Sequence, residues 1–175
     1  MSADAMLEHT IIFSGPAGAG KTSALAALDL KSPQRQRPAL APDTMDHGVL
    51  QLSRTERIHC YGISGRYYSE HAQVIPSANA LGLVLLLDNT LANPFAELDF
   101  HLDVFGDFID RSGLVIGVTK MDIGETPSLV EYNNYLRKQA QLYPVFEVDT
   151  RKQRDVAILI QALLYCIDPR IRACG

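Results

Sequence analysis

This 175-residue chain has no tryptophan, only three cysteines and no surplus of basic side chains. Cys60, Cys166 and Cys174 are odd in number and widely spaced, which argues against a disulfide framework and against a zinc site, and fits a reducing compartment. Sixteen Lys and Arg face twenty Asp and Glu, a net charge of -4, so no basic field draws the chain to nucleic acid or to an anionic membrane. No apolar run reaches the roughly 18 residues of a membrane span. Met1-Ser2-Ala3-Asp4-Ala5 is polar and acidic where a secretory leader is basic and then apolar. Position 2 is not glycine and Cys174 is followed by one residue only, so no lipid anchor is evident. These absences lead to the expectation of a cytoplasmic protein. The remainder, 47% apolar and 21% charged, is enough to close one core, and a single domain over residues 1–175 is expected.

The stretch around which the chain is organised is Gly15-Pro16-Ala17-Gly18-Ala19-Gly20-Lys21-Thr22, which satisfies G-x-x-x-x-G-K-[ST] at every fixed position. The apolar Thr10-Ile11-Ile12-Phe13 before it reads as a buried strand, and Ser23-Ala24-Leu25-Ala26-Ala27-Leu28 after it as a helix. In that setting the chemistry is specific. Glycines let loop N–H groups converge on an anion without Cβ atoms in the way, and the helix behind adds its positive dipole end. Lys21 is expected on the terminal phosphates of a nucleotide, and the Thr22 hydroxyl on the accompanying Mg²⁺.

Downstream, Ser32 to Pro42 is rich in breakers and reads as a loop. Gly48–Ser53 and Arg57–Gly62 alternate apolar and polar residues around Arg54-Thr55-Glu56, the pattern of a hairpin with one wet face. Leu81–Asp88 and Gly113–Thr119 are too apolar for anything but central strands. Asn93-Pro94 starts a helix with Phe95, Leu98, Leu102, Phe105 and Ile109 on its inner face, and Thr126-Pro127 starts another through Leu129, Tyr132, Leu136 and Ala140. A short strand, Val145–Val148, and a helix carrying Val156, Leu159, Ile160, Leu163 and Leu164 follow. Strands and helices mostly alternate. The expected fold is α/β: a three-layer P-loop NTPase sandwich around a mainly parallel six-stranded sheet with one antiparallel hairpin strand, its ligand loops at the carboxyl ends of the strands.

Two acidic motifs bear on which nucleotide binds. Leu83–Asp88 is an apolar strand ending in aspartate, the form of a metal-coordinating strand in an ATPase. Thr119-Lys120-Met121-Asp122 follows the next strand, and there a carboxylate accepts from both N1–H and the exocyclic amine of guanine, a pairing that adenine does not offer. Lys120 would lay its aliphatic stem over the base. A glycine-rich loop, then a hairpin, then T-K-x-D is the order of motifs in Ras-like small GTPases, which the chain resembles over nearly its whole length. It is most similar to the bacterial branch containing the gliding-motility GTPases and the small ATP/GTP-binding proteins encoded beside roadblock-type partners. The closer resemblance rests on Gly15 to Thr22, Met45-Asp46-His47-Gly48, Tyr61-Gly62-Ile63-Ser64-Gly65 and Thr119 to Asp122.

The resemblance implies GTP or GDP with Mg²⁺ as ligand. It implies nucleotide contacts from Gly15, Ala17, Gly18, Ala19, Gly20, Lys21, Thr22 and Ser23, and a Gly65 N–H for the γ-phosphate. It also implies base contacts from Thr119, Lys120, Asp122 and the Asp149-Thr150-Arg151 loop, which would offer a backbone N–H to the guanine carbonyl. Asp88 then becomes a turn residue. Departures from the family matter for turnover. Gly62 brings no carboxylate to the metal's water shell, and Pro42 stands where a threonine closes over Mg²⁺. Arg66 occupies the glutamine position, and a guanidinium donates but cannot accept from an attacking water. Thr44 would replace Pro42 only after a loop shift, and Arg66, Arg54, Arg57, Arg35 and Arg37 are candidates for an internal arginine finger, with a solvated surface arginine the expected role of each. The open readings are a guanine-nucleotide switch with slow or partner-dependent GTP hydrolysis, a GTPase-fold binding module without turnover, and an adenine-dependent ATPase using Asp88. Tyr61, Tyr67, Tyr68 and His71 suggest a protein partner at the switch surface, roadblock-type by resemblance only. The histidines show no metal-ligand spacing.

Overall fold

A computed structural model describes residues 6–28, 45–73, 75–76 and 79–167. Six strands form one sheet in the order β2-β3-β1-β4-β5-β6: β1 (Leu7–Ser14), β2 (Met45–Gln51), β3 (Glu56–Ile63), β4 (Ala80–Asp88), β5 (Leu114–Thr119) and β6 (Val145–Glu147). All pairings are parallel except β2 with β3. The α/β class and the mostly parallel six-stranded sheet with one antiparallel pair are therefore as expected. Every residue of β5 is buried, and β4 is buried from Gly82 onward, which is why these strands read as continuous apolar runs.

Helices cover both faces. Against one lie α1 (Lys21–Leu28) and α6 (Gln153–Ile167), whose Leu25, Leu28, Val156, Leu159 and Leu163 share a core with Ile11, Phe13, Val84 and Leu86. The other carries α2 (Tyr68–His71), α3 (Pro94–Val104), α4 (Gly106–Arg111) and α5 (Leu129–Lys138). There Leu98, Phe105, Phe108, Tyr132 and Leu136 meet Ile12, Leu83, Leu85, Leu87 and Ile116. Alternation along each strand deals its side chains to these two cores.

Three boundaries differ from the sequence reading. The helix expected from Asn93 divides at Phe105, whose N–H bonds the His101 carbonyl while its own carbonyl accepts from Ile109 N–H. Phe105 is fully buried against Tyr68, ring centroids 4.1 Å apart, so the core holds the junction and Gly106 begins the second piece. Asn93 does cap α3, accepting from Ala96 N–H at 3.1 Å. The cap of α5 is Ser128 and not Thr126: Ser128 and Glu131 form a reciprocal capping box, and Thr126-Pro127, joined by a cis peptide, lies before the helix. That helix ends at Lys138, and Ala140 adopts positive φ beyond it. No helix among the described residues is long and apolar enough to cross a membrane.

Candidate functional site

Because β1, β3, β4, β5 and β6 are parallel, the loops at their carboxyl ends gather at one edge of the sheet. The loop after β1 is held by close approach. A Cβ on Gly15 would stand 2.1 Å from the Leu86 carbonyl oxygen, and one on Gly20 would stand 2.3 Å from Thr150 Oγ1, with φ of +148° and +99° at the two positions. Only glycine meets both conditions. Lys21, at the start of α1, turns its ammonium back over the loop and donates to the Gly15 and Pro16 carbonyls, 2.7 Å each. Burial pushes its pKa down, and the Asp46 carboxylate pulls the other way.

Across from this loop lies a cavity of about 540 Å³, bounded by Gly18, Ala19, Gly20 and Ser23 on one side and by residues 119–123 and 147–152 on the others. All fifteen expected nucleotide-contact residues and Arg66 are described, and the cavity brings together Gly18, Ala19, Gly20, Ser23, Thr119, Lys120, Asp122, Asp149, Thr150 and Arg151. Asp122 is exposed to it. Lys120 sits at φ +58°, its carbonyl accepting from Ile123 and Gly124 N–H, which closes the turn that carries Asp122. The Lys120 ammonium pairs with Asp88 Oδ2 at 2.5 Å and lies 3.9 Å from where a Gly18 Cβ would be. Thr119 Oγ1 donates to the Leu87 carbonyl at 3.1 Å, tying the end of β5 to β4.

In the third loop, Asp149 binds the Arg151 guanidinium through both oxygens, 2.9 Å each, and that partner holds its carboxyl down at about 2. Asp149 N–H donates to Asp155 and Arg151 N–H to Asp149. Of the three N–H groups in this loop, that of Thr150 remains without a partner among the described residues.

Neither a protein-family model nor a curated protein matches the chain. The chemistry of this edge is therefore read from its own residues.

Asp88 Oδ1 accepts from both the N–H and the hydroxyl of Thr90, and Oδ2 takes Lys120. Asp88 is the last residue of β4, with Oδ1 engaged in the turn that follows and Oδ2 in the pair with Lys120 after β5. Arg66 is exposed, in a single turn of 3-10 helix over Gly65–Tyr67, while Gly65 is buried. Of the four residues expected at a partner surface, Tyr67 is exposed and His71 half-buried, while Tyr61 is buried and Tyr68 packs at a tilt against Phe105. Pro42, Thr44, Arg35 and Arg37 lie outside the described residues.

Sequence reading missed two groups here. Asp46 is opposite Gly62 in the antiparallel β2–β3 register, with its Cβ 3.3 Å from where a Gly62 Cβ would stand, and its Oδ2 accepts from Thr22 Oγ1 at 2.6 Å. A carboxylate thus stands beside position 62, on the neighbouring strand. Counting pairs back from the 52–56 turn gives that partnership. The second is Asn89, buried at the end of β4, which donates to the Gly124 and Pro127 carbonyls and accepts from Tyr132 Oη at 2.8 Å, pinning the loop that carries Asp122.

Proposed function

We propose that this protein binds a guanine nucleotide with Mg²⁺ and works as a molecular switch of the Ras-like kind, hydrolysing GTP slowly or only with a partner. The observation that carries this reading is the cavity of about 540 Å³ that has the glycine loop and Ser23 on one side and Asp122 with the Asp149–Arg151 loop on the other. A glycine loop whose N–H groups converge, backed by a lysine, suits a phosphate chain. A carboxylate suits the N1–H and amine edge of guanine, and the unspent Thr150 N–H suits its carbonyl oxygen. On this reading Lys21 exchanges its two carbonyl partners for phosphate oxygens, and Thr22 with Asp46 would hold Mg²⁺. When bound, the metal neutralises phosphate charge. The fit rests on the donor set: the Lys21 ammonium over the glycine loop, and the Thr22 hydroxyl beside the Asp46 carboxylate.

Turnover needs an acceptor for the attacking water. Arg66 is a donor only and is exposed, which favours weak or partner-dependent hydrolysis and keeps the binding module without turnover as a second reading. The adenine-dependent ATPase is disfavoured by Asp88, whose two oxygens already serve Thr90 and Lys120. A protein partner, roadblock-type by resemblance, would meet the surface around Tyr67. The test is titration of nucleotide-stripped protein with fluorescent guanine and adenine nucleotides, with and without Mg²⁺, alongside Lys21→Ala. Guanine binding strengthened by Mg²⁺ and largely lost in Lys21→Ala is expected. Equal binding of adenine, or unchanged affinity in the variant, overturns the assignment.

A further inference from the structure

A second cavity, of about 300 Å³ and sharing no lining residue with the large one, is bounded by Pro16, Ala17, Ser64, Arg66, Glu97 and His101 among others. His101, on α3, is 1% exposed. Its Nδ1 is 2.7 Å from the Glu97 carbonyl, which can only accept, so Nδ1 carries the proton and the second nitrogen of the neutral ring is a bare acceptor. That atom, Nε2, is buried and makes no hydrogen bond of good geometry, although the Gly15 carbonyl is near enough to act on the ring. It presses on the turn after β3: a Cβ on Gly65 would stand 2.8 Å from Nε2 and from Cδ2, and 3.2 Å from Phe100. An orphaned buried nitrogen is costly to keep, and this one lies beside the glycine whose N–H is assigned to the terminal phosphate.

We propose that His101 is a specificity-determining residue that favours the nucleoside triphosphate over the diphosphate, by taking a proton onto Nε2 when a terminal phosphate enters between Lys21 and Gly65. This rests on the function proposed above. The charged groups facing the ring are few. Glu97, on the same helix, brings a carboxylate oxygen 3.9 Å from Nδ1; Lys21 acts from α1; Arg66, from the turn after β3, lines the same cavity. Phe105, Phe100 and Leu91 are uncharged. Burial pushes the His101 pKa down, the Glu97 carbonyl and carboxylate push it up, Lys21 pushes it down and the Gly15 carbonyl pushes it up. A phosphate dianion beside Lys21 cancels the ammonium's field, which leaves the two carbonyls and Glu97 to stabilise an imidazolium. Nε2–H then has an acceptor in phosphate or the Gly15 carbonyl, and the orphaned atom is satisfied.

The sign follows from linkage. A His101 pKa higher in the triphosphate complex than in the diphosphate complex makes the preference for triphosphate full below the lower value, and lost as pH rises through the higher one. The experiment measures affinities of methylanthraniloyl GDP and its β,γ-imido triphosphate counterpart, with Mg²⁺, from about pH 6 to about pH 8.5, for wild type, His101→Gln and His101→Phe. Wild type is expected to lose triphosphate preference with rising pH, approaching tenfold per unit in the steepest part for one linked proton. His101→Gln keeps a polar atom near the Nε2 position and cannot titrate, so its ratio should show only the ionisation of the phosphates themselves, as should His101→Phe if it folds. A wild-type ratio no steeper than that of His101→Gln overturns this proposal alone. Absence of nucleotide binding by wild type overturns the proposed function, and this with it.

Discussion

Replacing Asp46 with alanine separates metal binding from folding. Among the described residues, the Asp46 side chain accepts one hydrogen bond, from Thr22 at 2.6 Å, and both residues are exposed. A solvated bond of this kind contributes about 1 kcal/mol or less to stability, so Asp46→Ala should unfold at nearly the wild-type urea concentration. The effect on Mg²⁺ is larger. A carboxylate that orients a metal's hydroxyl ligand or its waters is worth about 10- to 100-fold in metal affinity, or roughly 1.4–2.7 kcal/mol. Guanine-nucleotide affinity without Mg²⁺ should change little, because Asp46 approaches the loop only through Thr22 and the field at Lys21. The gain on adding Mg²⁺ should shrink by the factor above.

A second variant sharpens the test. The position 62 Cβ lies 3.3 Å from that of Asp46 and 2.9 Å from the tip of Leu25, and the leucine tip can yield. Gly62→Asp added to Asp46→Ala should therefore recover part of the Mg²⁺ dependence. The assay is a Mg²⁺ titration of fluorescent GDP release. An Asp46→Ala protein that folds normally and shows wild-type Mg²⁺ dependence would refute the claim that this strand supplies the metal's carboxylate.

Asp122→Asn should weaken guanine binding and improve xanthine binding, because the amide donates where xanthine offers a carbonyl; competition between the two nucleotides measures it, and an unchanged ratio removes Asp122 from base reading. Cys60 is fully buried and burial pushes its thiol up to about 12, so mass spectrometry should find it unalkylated by iodoacetamide at about pH 8 until urea unfolds the chain. For Asp88, burial raises the pKa, but the hydrogen bonds from Lys120 and Thr90 outweigh it and hold the carboxyl below its ordinary value. Its contribution is therefore complete above about pH 5 and lost as pH falls through the depressed value. The stability gap between wild type and Asp88→Asn should narrow over that acid range, and a gap independent of pH would count against the pairing.

The glycine loop, the two central strands and the turn bearing Asp122 were legible because each depends on local rules: a glycine where Cβ has no room, an apolar run where both faces are buried, a turn after a strand. Asp46 was not legible as a site residue, since its place beside Thr22 comes from lying across a hairpin from Gly62, 16 positions away. His101 looked like one polar residue on an amphipathic helix, and only the packing of Gly65 against its ring gives it a place. The division of the long helix at Phe105 escaped notice because the inner-face spacing continues unbroken through it. The Ser128 cap was hidden by the Thr126-Pro127 pair, which matches the usual start of a helix two residues too early.

The contact of Gly20 with Thr150 joins the loop after β1 to the loop after β6 with no space for a methyl group between them. Its consequence is historical as much as mechanical. A lineage carrying this chain finds no room for a side chain at residue 20 while residue 150 keeps its size, and the φ of +99° there disfavours one even afterwards. Deep mutational scanning from the present sequence should find position 20 closed. The same scan begun from Thr150→Gly should find its smallest substitution, alanine, less damaging there.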